Sequence, residues 1–469
     1  MTTENVSTAD VTYCEGWDPQ IRAAVAPIPE PEARSRDASG EQYAVLLSVQ
    51  GRPKALFQVD WGHGHLGLFL FDECERRDRE LEYRQLEPGR LHLMRYQEWR
   101  HTSDTDAEFP ERGWCFTMTI DPDGRARQVL SDVGGSRHTG ASVPVEHRSV
   151  AKAEFGEWTA YVDARMLGLS GPITLVPAQR PVEGPASGTM PAWSAPLPLR
   201  PRHLEALFTP GSRLASDEGR VALITEPSHA GWLHLPTGSV IAADPYFLGD
   251  SGPFTVTVAP GDYAVLIASM RWEGTDLEGE TPAAMVRILD KQTVSWELAL
   301  LPGQDVRLLG AGEFFGFGVD AGMGCFLDAS GRDEFARLIE EWEEESDQEV
   351  DLLSSEVRAP ETGTNLIAYH SGLGDGSYPV WIGRDADGEV TSFVADMLIL
   401  HDADALPPTA PSTAVRLPLF TPVTDDRREA PFTSPSATAE FMAAQISHVA
   451  DGWAEHRRSF TDSHVLRDR

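Results

Sequence analysis

Cysteine is scarce: Cys14, Cys74, Cys115 and Cys325 are the only four in 469 residues. They stand far apart, and no two have the C-x-x-C spacing of a zinc site. This speaks against both a disulfide framework and a cysteine-built metal centre. Long apolar runs are missing too, and no stretch approaches the ~18 residues of a membrane span. The opening MTTENVSTADVTYCEGWD has neither the basic nor the apolar region of a secretory signal. The expected setting is therefore the cytoplasm, with reduced and mostly buried thiols. Positive charge is the third shortage, with 39 Lys and Arg against 73 Asp and Glu and a formal net charge of −34. A surface of that sign repels phosphate backbones, and no long Lys/Arg cluster offsets it, so neither nucleic acid nor membrane is expected as a partner. A basic protein would be drawn in by the same field, although acidity also serves simply to keep a protein soluble. Nucleophile elbows, P-loops and dinucleotide fingerprints are absent as well.

What the chain does contain is ample core material. Hydrophobic residues make up 41%, and the length suggests two or three domains. From Tyr43 onward, YAVLLSV, KALFQVDW, LGLFLF, RLHLMRY, WCFTMTI and RARQVL are short apolar or alternating runs broken by Gly, Pro and Asp, a pattern of antiparallel strands. DPDG at 121–124 predicts a hairpin, as does DADG at 385–388. Phe335, Leu338, Ile339 and Trp342 recur at helical spacing among acids and predict an amphipathic helix. The expected fold is mainly β, a β-rich α+β arrangement. It comprises two antiparallel sheet domains, of sandwich type, with a few peripheral helices and a C-terminal helix. The boundaries are a flexible segment at 1–40, a first domain at 41–175, a Pro-rich linker at 176–202, a second domain at 203–405, and a spacer, helix and polar tail at 406–469.

Within the second domain, LPTGSVIAADP, PGDYAV, GFGVDAGMGCFLDA and HSGLGDGSYPVWIGRDADGEVTSFVADM stand in order. Over residues 234–398 the sequence resembles domain of unknown function 4241, a bacterial family common in actinomycetes. The resemblance brings no catalytic residues, because the family has no established activity. The block GDGSYPVWIGRDADGEV is also similar to the strand–turn–strand pattern of immunity proteins of the SUKH type. The first domain resembles no known family.

Several positions carry chemistry worth weighing. Asp320, Gly322, Gly324 and Asp328 lie in one Gly-rich block, and Gly374, Asp375 and Asp396 in the second. Converging carboxylates could hold a divalent cation or act as an acid/base pair, with His370 as a further catalytic candidate. Turn capping and tight sheet packing explain the same residues without a ligand. Asp385, Asp387 and Glu389 mimic part of a calcium loop but lack its twelve-residue pattern, so a hairpin is the better reading. Asp60, His63 and His65 form a possible metal site, the two histidines alternating on a strand, with His92 or His101 as a further ligand. Cys325 reads as a buried, inert thiol and Ser371 as turn chemistry. Trp232, Tyr246, Tyr378 and Trp381 would form a binding patch if clustered on one surface, or else the rim of a β core. The function expected from these residues is a non-catalytic protein-binding or immunity-like module for a basic protein, without a cofactor. The alternatives are a metal-dependent hydrolase built on Asp320, Asp328 and Asp375, and a plain scaffold.

Overall fold

The computed structural model describes residues 7–110, 112–169, 171–178, 192–275, 280–345, 352–353 and 357–407. The expected C-terminal helix lies outside the described residues. With 45% strand and 12% helix, the protein is mainly β. Two compact units divide it. The first is Met1–Pro198 with Asp305–Gly312, and the second is Leu199–Gln304 with Glu313 onward.

The first unit is one long meander. Its strands are β1 (Ser7–Cys14), β2 (Tyr43–Val49), β3 (Arg52–Asp60), β4 (His65–Phe71), β5 (Arg77–Glu87), β6 (Arg90–Arg100), β7 (Trp114–Ile120), β8 (Arg125–Asp132), β9 (Gly135–Ser142) and β10 (Ile173–Pro177). They hydrogen-bond in the order β9-β8-β7-β6-β5-β4-β3-β2-β1-β10. Alternate residues point to one face, so Val45, Leu47, Phe57, Leu66, Leu68, Leu91 and Ile120 meet in one core. Ala141 of β9 and Leu175 of β10 pack against that same core, so the sheet curls around it. Trp158 and Tyr161 fill its middle. The hairpin expected at 121–124 is present, with Gly124 at φ +94° and its N–H donated to Asp121 O at 2.9 Å.

Two expectations fail here. The lead-in at 1–40 includes β1 and a helix, α1 (Glu30–Ser39), whose Ala33 is fully buried. Likewise, β10 extends into the first two residues of the Pro-rich stretch, Val176 and Pro177, pairing in parallel with β1. A proline at the end of an edge strand removes only one ladder donor, which is why Pro177 is tolerated there.

The second unit is layered. Its strands are β11 (Ser228–Leu235), β12 (Val240–Ala243), β13 (Gly261–Ile267), β14 (Ala283–Arg287), β15 (Ser295–Leu298), β16 (Gly316–Val319), β17 (Met323–Asp328), β18 (Asn365–His370), β19 (Gly376–Arg384) and β20 (Val390–Asp396). A larger sheet runs β11-β13-β14-β20-β19-β15, with β16 also on β19, and a smaller one joins β12, β17 and β18 to Val357–Arg358. Leu233, Val265, Val286 and Phe393 of the larger sheet meet Val240, Phe326, Ile367 and Tyr369 of the smaller, forming a sandwich core. On the outside of the smaller sheet lies α2 (Arg332–Glu345), with Phe335 and Ile339 buried and Leu338 and Trp342 packed beside them. Behind the larger sheet, Trp272, Trp381 and Val394 form a third core with the helix Leu204–Leu207.

Candidate functional site

At one end of the sandwich the chain crosses twice between the two sheets. The first crossing, residues 320–322, leads from β16 to β17; the second, residues 371–375, leads from β18 to β19. Because Val319 pairs with Gly376 and Met323 with His370, the two corners lie side by side. Each needs a residue of positive φ, supplied by Gly322 at +68° and by Gly372 and Gly374 at +67° and +104°. Ser371 N–H donates to Gly322 O at 3.1 Å.

Beneath them sits Asp244, just after β12 and 1% exposed. Its Oδ2 accepts the N–H groups of Asp320 and Ala321, each at 2.8 Å, and Oδ1 accepts that of Tyr246 at 2.9 Å. Burial nevertheless pushes the Asp244 acid above its ordinary range. Above the corners, Asp320, His370 and Asp375 face solvent, and Leu373 is 74% exposed. Partial burial, then the charge of Asp320, raises the acid of Asp375. Among the described residues neither Asp320 nor Asp375 has a salt-bridge partner. The second corner is completed by Gly374 O, which accepts both Ser371 Oγ and the Tyr378 hydroxyl at 2.8 Å. Ser371 is thus a turn residue, as expected.

Asp328 does not join this group. It lies at the opposite end of β17 from the corner, about 16 Å away at ~3.3 Å per residue. Its carboxylate accepts Thr237 N–H at 3.0 Å and Ser330 N–H at 2.9 Å, capping the short helix that precedes α2. A single cation cannot be reached by Asp320, Asp375 and Asp328 together, since oxygen ligands must lie within about 2.6 Å of it. Gly324 is buried, and a side chain there would strike the Tyr369 ring at 2.5 Å. Its role is close packing. Cys325 is buried, and burial raises its thiol far above the usual range.

The aromatic patch also disperses. Trp381 and Tyr378 are 2% and 6% exposed and belong to two different cores, and Tyr246 packs against a third. Of the four, Trp232 alone presents its ring widely, at 49% exposure. Of the two placements open to Tyr378 and Trp381, surface patch or core, the structure takes the core, because their strand β19 is covered on both faces.

In the second hairpin, Asp385, Asp387 and Glu389 do gather. Lys291 Nζ sits between them, 2.7 Å from Asp385 and 2.5 Å from Glu389, so an ammonium already occupies the place a cation would take.

In the first unit, His63 and His65 do not share a strand face. His63 belongs to a single 3-10 turn capped by Asp60, whose Oδ1 accepts His63 N–H at 3.1 Å while Oδ2 meets His63 Nδ1 at 2.9 Å. His65 lies in β4 with its ring buried against Arg84. His92 and His101 bond instead to the carbonyls of Ile120 and Glu108, each at 2.9 Å. Asp60 is explained as a cap, and the proposed ligands do not converge.

What sequence reasoning missed lies around His65. Arg84 pairs with Glu82 at 2.6 Å, Glu82 with Arg95 at 2.6 Å, and Trp193 covers the imidazole with ring centres 5.6 Å apart. Arg84 also donates to the carbonyl of Arg307 at 2.9 Å, tying down residues 305–312. Burial, with the nearby charges of Arg84 and Arg95, drives His65 well below its ordinary pKa and keeps it neutral. The signal was available in RDRELEYRQLE, where charges stand at alternate positions of a long central strand.

A groove of about 430 Å³ in the first unit is lined by Val11, Tyr13, Ile28 and Leu175, with Glu30 as its charged member. That lining lacks the convergent polar groups of a catalytic pocket.

None of the curated proteins matches this chain. One solved structure that it is similar to is a mutant of the vaccine antigen transferrin-binding protein B from Haemophilus parasuis Hp5. The identity is 8%, covering 84% of this chain and 78% of that one at a TM-score of 0.10, a likeness that carries no argument. Residues 233–395, which hold both corners and Asp244, match the model of the family described as protein of unknown function (DUF4241).

Proposed function

We propose that the paired corners are the recognition tip of a cytoplasmic protein-binding module, immunity-like in kind, whose partner is a basic protein. The observation that supports this reading is the combination of exposed Asp320, Asp375 and Leu373 on backbone fixed from below by Asp244. A tip already held in shape loses little conformational freedom on binding. An apolar side chain between two unpaired carboxylates suits a partner with Lys or Arg around an apolar pocket. The overall charge of −34 adds attraction at a distance. The hydrolase reading loses its third carboxylate with Asp328, and no cofactor is called for.

The test is a pull-down of tagged protein from its host at moderate salt, followed by titration of the recovered protein in purified form. One basic protein should be recovered in near-stoichiometric amount. Its binding should weaken at least tenfold with Asp320→Lys plus Asp375→Lys, and again with Leu373→Asp. Equal binding by those variants would refute the assignment of the tip. A divalent metal that copurifies stoichiometrically and is lost in Asp320→Asn would favour the enzyme reading instead.

A further inference from the structure

The other surface of note is the free edge of the first unit, and its logic is independent of the acidic tip. In β9 (Gly135–Ser142) the burial pattern is exposed at seven of eight positions, and every residue is in unbroken register with β8, from Asp132↔Gly135 to Arg125↔Ser142. β9 is the terminal strand of its sheet, so among the described residues its outer N–H and C=O groups lack a ladder. Native sheets usually blunt such an edge with proline, a bulge or a very short strand. Here there is no proline and no bulge, and the strand is eight residues long.

The charge of this ribbon is opposite to that of the whole. Residues 125–148 carry Arg125, Arg127, Arg137 and Arg148 against Asp132 and Glu146, in a chain with a net charge of −34. Arg137, on the edge strand itself, has no ion-pair partner among the described residues. Arg127 faces His138 of the edge, its guanidinium 3.3 Å from Nδ1. Apart from Ala141, which packs on the core, both faces of the ribbon's outer strand are wet, so a strand added along 135–140 would be polar on both sides. A second copy of β9 paired about Arg137 would set two guanidinium groups face to face, which disfavours that register.

We infer that β9 is a strand-addition site for an extended, acidic peptide segment of another protein. Backbone ladder bonds would give affinity, and Arg137, on the face opposite to Arg127 and His138, would select Glu or Asp.

The experiment uses the full chain and a dye-labelled ten-residue peptide of alternating Thr and Glu. Thr favours the extended form. Two control peptides accompany it, one with Lys in place of Glu and one with alternate backbone amides N-methylated. Fluorescence anisotropy should show the acidic peptide binding at least tenfold tighter than either control. Arg137→Glu, at a fully exposed position, should remove that preference. Hydrogen exchange should slow at alternate amides of 135–142 when the peptide is present. Equal binding by the N-methylated peptide would overturn strand addition and leave charge alone as the attraction. Absence of binding, or protection confined to other segments, would overturn it too. Protection of 135–142 without peptide, growing with protein concentration, would show the edge closed by a second copy and also defeat the proposal.

Discussion

The buried carboxylate of Asp244 holds the exposed residue Asp320 by its backbone: Oδ2 accepts the Asp320 N–H at 2.8 Å, and the next N–H, of Ala321, at 2.8 Å. Two residues distant in sequence thereby divide one task. Asp244 fixes the corner, and Asp320 is left free to present its own carboxylate to solvent. The two substitutions should have separable consequences.

Asp244→Ala strands three backbone donors, those of Tyr246, Asp320 and Ala321, and should destabilise the second unit by about 3 kcal/mol or more, an unsatisfied buried group costing ~1–3 kcal/mol each. Asp320→Ala keeps the backbone bond and should change stability by no more than ~0.5 kcal/mol. Calorimetric unfolding of both variants checks the contrast. A loss of stability in Asp320→Ala equal to that in Asp244→Ala would contradict it.

Asp396 supplies a pH signature. It is fully buried, its Oδ1 accepts Leu398 N–H at 2.9 Å, and burial pushes its acid to about 6. The Trp381 indole lies close enough to ease that charge in part. A carboxyl raised on folding contributes stability that is whole below the unfolded pKa of about 3.9 and lost as pH rises through the folded value. The second unit should therefore weaken by up to ~3 kcal/mol between pH 4 and about 6, at 1.36 kcal/mol per unit. Asp396→Asn keeps an acceptor for Leu398 and removes the charge. Its melting temperature should be higher than wild type at pH 7 and flat across that window.

The first unit should respond in the opposite sense. His65 is held neutral, so its contribution is present above the unfolded pKa of about 6.5 and lost as pH falls. Melting of the first unit should drop on acidification from pH 7 to 5, and less so in His65→Gln. Glu82→Ala, which leaves Arg84 and Arg95 without their shared carboxylate, should cost about 3–5 kcal/mol at pH 7.

Gly324→Ala tests the packing role of the Gly-rich block. Its methyl would meet the Tyr369 ring at 2.5 Å, and Tyr369 is itself core. A loss of about 1–3 kcal/mol is expected, as for other overpacked cores. If binding to a partner changes while stability does not, Gly324 belongs to recognition and not to the core.

Legibility in the sequence followed the range of the interactions. The hairpins at 121–124 and 385–388 and the helix with Phe335 and Ile339 were readable because turn chemistry and periodicity are local. The adjacency of Asp320 and Asp375 was suggested by two matching Gly-Asp blocks, yet their distance from Asp328 depends on how many strand residues intervene. Whether Trp381 and Tyr378 face solvent or core was not legible, because alternation along one strand does not reveal whether both of its faces are covered. Strand β1 was missed since its run of Ser, Thr and Asp earns its place only by pairing with β2 and β10.

By itself, then, the sequence determined that the chain is β-rich and acidic, where its turns fall, and that 233–395 carry a recognisable family pattern. Tertiary structure decided what the special residues do. It buried Asp244 beneath Asp320, closed Arg84, Glu82 and Arg95 into one network, and placed β9 at the edge of its sheet. These outcomes depend on which strands pair and which faces are covered. Pairing joins residues dozens of positions apart, and no local pattern of side chains encodes it.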